Sequence, residues 1–141
     1  MNISKFKKWN NLIGFITFLI AFITYSLTVE PTASYWDAAE YISTSAKLQV
    51  GHPPGAPFFQ MLGAFFASFA SNPDQIAFMV NMMSVFASAF TILFLFLTIT
   101  IIGKKIVLKN NSISNSNAII ILGSSLIGSL CFTFSDSFWF N

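Results

Sequence analysis

Asn11 to Val29 reads NLIGFITFLIAFITYSLTV, 19 residues without a single charge. At about 1.5 Å of rise per residue, a helix of this length covers a hydrocarbon layer of roughly 30 Å. In lipid such a segment has to be helical, because no other open structure satisfies its own backbone donors and acceptors. Two further uncharged runs follow. Ile76 to Gly103 is longer than a crossing needs, so it tilts or begins among the headgroups. Ala118 to Ser135, AIIILGSSLIGSLCFTFS, sits at the lower limit of spanning length. The fold class expected is all-α: a polytopic membrane protein with three transmembrane helices.

Composition agrees with that class and removes others. Of 141 residues, 55% are hydrophobic and only 9% charged, against about 25% charged in a soluble domain. Disorder needs low hydrophobicity and high charge, the reverse of this chain. With no Arg and a net charge of +2, no basic groove for nucleic acid is visible. The single Cys131 excludes a disulfide framework and a zinc cluster. No cofactor is expected, and no ligand spacing supports a divalent metal.

Charge sets the orientation. Lys5, Lys7 and Lys8 precede the first run, and Lys104, Lys105 and Lys109 follow the second. The positive-inside rule places both groups in the cytoplasm, so an even number of crossings separates them. Ala56 to Ser71, APFFQMLGAFFASFAS, is apolar but short, and Pro53, Pro54 and Pro57 interrupt its start. It is either a fourth span or a helix in the interface, and the lysine count selects the interface. The expected layout has spans at about 11–29, 76–103 and 118–135, an outer loop at 30–75 and a polar cytoplasmic loop at 104–117. The protein is then multi-pass, in a plasma or bacterial inner membrane, with a cytoplasmic N-terminus. A cleaved signal peptide competes for the N-terminus, but the apolar stretch is of full spanning length and more spans follow. The end at Asn141, directly after a span and inside Phe138-Trp139-Phe140, reads as the N-terminal part of a longer multi-span protein.

The outer loop carries the chemistry. Ser34 is placed to cap a helix starting near Tyr35. Asp37 and Glu40 then project from one face at i and i+3. Tyr35, Trp36 and Tyr41 flank them, amphipathic residues suited to the membrane–water boundary. The bland reading is a capping-box-like Ser34-x-x-Asp37 and a solvated Glu40. The functional one is a polar pocket at the bilayer surface, where a lipid-linked substrate presents its headgroup. Gly51-His52-Pro53-Pro54-Gly55-Ala56-Pro57 follows, with glycines for unusual backbone angles and prolines that stiffen the path. His52, the only histidine, is open to three roles: a phosphate contact, a brace for the acidic helix, or a metal ligand.

Other features read as structural. Gly63-x-x-x-Ala67 and Ser124-x-x-x-Gly128 permit close helix packing, Asn81 suits a helix–helix hydrogen bond, and Cys131 is inert filler. Asn72-Pro73-Asp74 reads as a helix start.

Tyr35-Trp36-Asp37-Ala38-Ala39-Glu40-Tyr41 together with Lys47-Leu48-Gln49-Val50-Gly51-His52-Pro53-Pro54-Gly55-Ala56-Pro57 resembles the bacterial membrane proteins known as domain of unknown function 2723. These look related to the eukaryotic transmembrane protein O-mannosyltransferases and, more distantly, to the protein mannosyltransferases and lipid A aminoarabinose transferases of the C-type glycosyltransferase fold. Phe138-Trp139-Phe140-Asn141 also resembles the start of that family's motif after the third span.

The resemblance implies a multi-span enzyme that transfers a sugar from a polyprenyl phosphate to a hydroxyl, often a protein Ser or Thr, with inversion at the sugar. It implies Asp37 as catalytic base and Glu40 as its helper, the choice between the two staying open. His52 and Lys47 fall where donor phosphate contacts are expected, with Tyr35 and Trp36 lining the substrate. The partners implied are the bilayer, the lipid-linked donor and a protein or glycan acceptor, with the rest of the chain or partner helices needed to enclose them. The rival reading is a non-catalytic membrane subunit or anchor packing against partner helices.

Overall fold

The computed structural model describes residues 1–107 and 113–139. The elements run α1 (Ile3–Thr28), α2 (Ala38–Lys47), α3 (Pro57–Ala67), a 3₁₀ turn (Pro73–Gln75), α4 (Ile76–Val107), α5 (Asn115–Thr133) and α6 (Asp136–Trp139). No strand occurs among the described residues. Helices α1, α4 and α5 are long and apolar enough to cross a membrane. The chain is therefore a polytopic all-α membrane protein. Lys109 and the rest of 108–112 lie outside the described residues, as do Phe140 and Asn141 of the aromatic motif.

Helix ends differ from the expected spans where polar residues continue a helix. α1 starts at Ile3, so Lys5, Lys7 and Lys8 stand on its first turns rather than ahead of it. Backbone hydrogen bonds carry a helix beyond the lipid wherever its flanks are good helix formers, and Lys is one. α4 likewise takes in Lys104 and Lys105, cations that suit a helix C-terminus. At its other end Asn72 is the cap residue and Pro73 the first residue of the 3₁₀ turn, as read from the sequence. Ser114 caps α5 by accepting from the Asn117 N–H at 3.1 Å.

The chain divides into two compact units. The first comprises Met1–Tyr25 and Ser88–Asn141. Phe6, Phe96, Ile113, Ala118, Ile121 and Leu122 form its core. Phe18 packs on Phe90 with ring centroids 4.9 Å apart. On α5, Ser125, Ser129 and Thr133 are wholly buried at i, i+4 and i+8. Each hydroxyl donates to the carbonyl four residues back, at 2.7, 2.7 and 2.9 Å. Their polar atoms are thus satisfied within the helix, and small side chains let neighbours approach. Tyr25 adds a bond from its hydroxyl to the Thr133 carbonyl at 3.0 Å. Phe15, Phe94, Ile119 and Ile127 face outward, as lipid contact requires.

The second unit is Ser26–Ala87. α3 has 11 residues, about 16 Å of rise, roughly half of what a crossing needs. It buries Gln60 and Gly63 and exposes Phe58, Met61 and Phe65. Polar side in and apolar side out is a pattern for lipid or protein contact rather than for water. Gly63 sits against α2: a Cβ there would lie 2.5 Å from Ser45 Oγ. Among the described residues, the side-chain bonds of Asn81 on α4 go to a loop and not to another helix. Its Nδ2 donates to the carbonyls of Glu30 and Thr32 at 2.8 and 2.9 Å, stapling the loop that follows α1.

Candidate active site in the acidic loop

α2 begins three residues later than the sequence suggests. Ser34 caps nothing; Asp37 holds the N-cap position, with no side-chain capping bond. Trp36, just before it, adopts φ of 62°, a left-handed conformation that a bulky side chain rarely takes. Such backbone strain is characteristic of functional sites, where surrounding structure holds it in place. Tyr35 and Trp36 are almost fully exposed, and Asp37 is exposed beside them. Among the described residues the Asp37 carboxylate has no hydrogen-bond partner. The pocket expected at this point is an open surface. A cavity of about 510 Å³ lies elsewhere, in the first unit, lined by Lys5, Trp9 and Ile13 of α1 and by Ala118, Leu122 and Leu126 of α5.

Glu40 has a different environment. Three residues into α2, it is the position from which a capping-box glutamate reaches back to its own helix. Instead both its oxygens turn to the loop after α2. The His52 backbone N–H donates to Oε1 at 2.7 Å, and His52 Nδ1 donates to Oε2 at 2.7 Å. The amide bond is the largest influence holding the Glu40 carboxyl below its ordinary range, followed by the ring bond. The same ring bond is the largest influence raising His52, with the Glu40 charge next and Asp37 adding in the same direction.

The local chain makes this return path. α2 closes with Leu48 in the left-handed conformation, φ 50°. The Leu48 N–H donates to the Ser45 carbonyl at 3.2 Å and the Gln49 N–H to Thr44 at 2.8 Å, a Schellman arrangement that reverses the chain. Gly51 then passes so close that a Cβ would meet Gln60 Nε2 at 3.1 Å and Glu40 Oε1 at 3.2 Å. The Gly55 N–H closes a turn onto the His52 carbonyl at 2.9 Å, with Gly55 at φ 75°. Pro57 starts α3 at its first helical position. Beneath the loop, buried Gln60 donates to Thr44 Oγ1 at 3.2 Å, and Thr44 Oγ1 donates to the Glu40 carbonyl at 2.8 Å. Tyr41 leaves the surface to pack edge-on against Phe59, centroids 5.2 Å apart.

The structure thus joins Glu40 and His52 and leaves Asp37 beside them. Lys47 ends the last turn of α2, about 15 Å along the axis from Asp37, and is not brought to the pair. Gln60 and Thr44 were not singled out from the sequence. A glutamine inside the apolar run PFFQMLGAFFA is the signal that marks Gln60, since a polar residue there needs a partner.

The region just described falls inside a recognised family. Residues 37–141 match the Protein O-mannosyl-transferase TMEM260 N-terminal domain. The chain belongs to that family. It is 34% identical over 85 residues to the "Protein O-mannosyl-transferase tmem260" of Dictyostelium discoideum, covering 60% of this chain and 10% of that relative. No solved structure matches.

Proposed function

We propose that this chain is the N-terminal part of a membrane glycosyltransferase that moves a sugar, mannose first among the candidates, from a polyprenyl phosphate to a hydroxyl, most directly a protein Ser or Thr. The observation that carries this reading is the family match, which spans α2, the His52 loop and α3. In the reaction the acceptor oxygen attacks the anomeric carbon. The bond to the phosphate oxygen breaks, and its electron pair leaves with the lipid phosphate. Asp37 accepts the hydroxyl proton. A positioned carboxylate of this kind contributes about 10²–10⁴-fold. Asp37 suits the role because it is exposed, is not spent on capping its own helix, and is the second charged group, after Glu40, that acts on His52. A single displacement with one such base inverts the sugar centre.

The orientation proposed keeps the N-terminus cytoplasmic and α2 and α3 on the opposite side, where a lipid-linked headgroup lies at the depth of an interfacial helix. Tyr35 and Trp36 are contacts for substrate, and the remainder of a longer chain or partner helices enclose it.

The second reading, a non-catalytic membrane anchor, is favoured by the open surface around Asp37. One assay separates the two. Purified full-length protein in liposomes is given radiolabelled polyprenyl-phosphate mannose and a Ser/Thr-rich peptide. Transfer to the peptide supports the enzyme. No transfer from that donor or from polyprenyl-phosphate glucose supports the anchor.

A further inference from the structure

We propose that Glu40 is a positioning residue for His52: it grips the ring by Nδ1 and the loop by the His52 amide, so that Nε2–H faces outward as a donor to the departing phosphate. This rests on the glycosyl-transfer reading above and assigns Glu40 a part other than base or base-helper.

Three observations carry it. First, both Glu40 oxygens accept from one residue at 2.7 Å. A carboxylate so engaged has both oxygens committed to His52, which leaves Asp37 as the freer acceptor of a hydroxyl proton. Second, an ionised carboxylate only accepts, so Nδ1 must carry the proton in that bond. The other nitrogen is then the one free to meet a ligand, and the His52 side chain is 51% exposed. A carboxylate that orients an imidazole through one nitrogen while the other works is a recurrent arrangement in sites. Third, the grip is built from several elements. Gly51 permits the approach that any Cβ would crowd, and the Gln60–Thr44–Glu40 chain fixes the backbone of Glu40 from below. A surface ion pair formed by chance has no such foundation.

The charged groups acting on His52 are Glu40 of α2 and Asp37 at its N-cap; α3 carries no charge, and its Gln60 lies against Gly51. Both carboxylates favour the imidazolium. A cationic donor is what a leaving phosphate, gaining negative charge in the transition state, needs opposite it. His52 gives a hydrogen bond and no proton, so the only proton moved in the step remains the one Asp37 accepts.

The test uses full-length protein with ¹⁵N-labelled histidine in detergent micelles, the His52 signal being identified by its loss in His52→Gln. Glu40→Gln is expected to lower the His52 pKa. The high-pH limb of kcat/KM for polyprenyl-phosphate mannose should move down by the same interval, about tenfold in rate at fixed high pH per pH unit moved. Below the new pKa the variant should keep only the smaller deficit of a ring that has lost its grip, so the gap from the parent widens as pH rises. Glu40→Asp, which keeps the charge but withdraws it by one methylene, gives the same directions should Glu40→Gln not fold. An unchanged His52 pKa in a folded variant overturns the proposal. So does a rate lowered equally at every pH, the mark of a merely structural brace. Absence of transfer by the parent protein at any pH overturns the glycosyl-transfer reading instead, because the NMR titration reads the Glu40–His52 coupling without activity.

Discussion

Ser45 is buried with no hydrogen-bond partner for its hydroxyl among the described residues, and it lies directly over Gly63. Removing an unsatisfied buried hydroxyl is neutral or stabilising, whereas adding a methyl to a closed contact is not. Ser45→Ala is therefore expected to leave thermal stability unchanged or raise it by about 1 kcal/mol. Gly63→Ala should cost about 1–3 kcal/mol, with Ser45→Gly relieving most of that loss. Thermal unfolding in detergent checks all three variants. That Gly63 mediates close packing was legible in Gly63-x-x-x-Ala67; that its neighbour is Ser45 was not, since nothing local links two helices separated by a turn. The two acids differ in the same way. Their i, i+3 spacing was legible, but which one is free depended on His52, 12 positions later, folding back onto Glu40.

The Glu40–His52 grip also has a pH window. Glu40 is lowered, so its contribution is present above the usual carboxylate range and is lost as pH falls through its depressed pKa. His52 is raised, so its contribution is complete below the usual imidazole range and is lost as pH rises through its elevated pKa. Hydrogen exchange at the His52 amide is expected to be slowest, after correction for intrinsic rates, between those two limits. Protection that is flat across them would contradict the pairing.

At the level of elements, uncharged runs and their length point to α1, α4 and α5, because hydrocarbon thickness leaves few alternatives. Their ends were less legible: Lys5, Lys7 and Lys8 are polar yet helical, and hydropathy records only the former. The start of α2 was missed by three residues because Ser34 and Asp37 are equally good caps by residue type, and the strained Trp36 between them is a tertiary feature. Asn81 suits a link between helices by residue type, yet it holds the carbonyls of Glu30 and Thr32. Replacing it by Leu removes two hydrogen bonds, about 1–2 kcal/mol in all. Limited proteolysis within 30–36 should quicken in Asn81→Leu while cleavage after α5 stays unchanged.

Over the whole molecule, the lysine pattern and the shortness of α3 are the two observations behind the proposed orientation. Cys introduced at Ser43, exposed on α2, should react with an impermeant thiol reagent applied from outside in a Cys131→Ser background. Cys at Ser116, exposed on the first turn of α5, should react only after permeabilisation. The reverse pattern would invert the layout. Family membership was legible in the loop motif, because its acids, histidine and prolines stand out by residue type from the apolar runs on either side. The division into two units and the cavity between α1 and α5 were not, since both arise from contacts far apart in the chain.

The central claim is that Asp37 is the proton acceptor for transfer from a lipid-linked sugar. It is tested most directly by Asp37→Asn in the full-length protein, assayed for mannosyl transfer to peptide beside the parent protein in the same liposomes. A loss of about 10²–10⁴-fold in kcat, with insertion and thermal stability unchanged, is the predicted result. Transfer at the parent rate would contradict it.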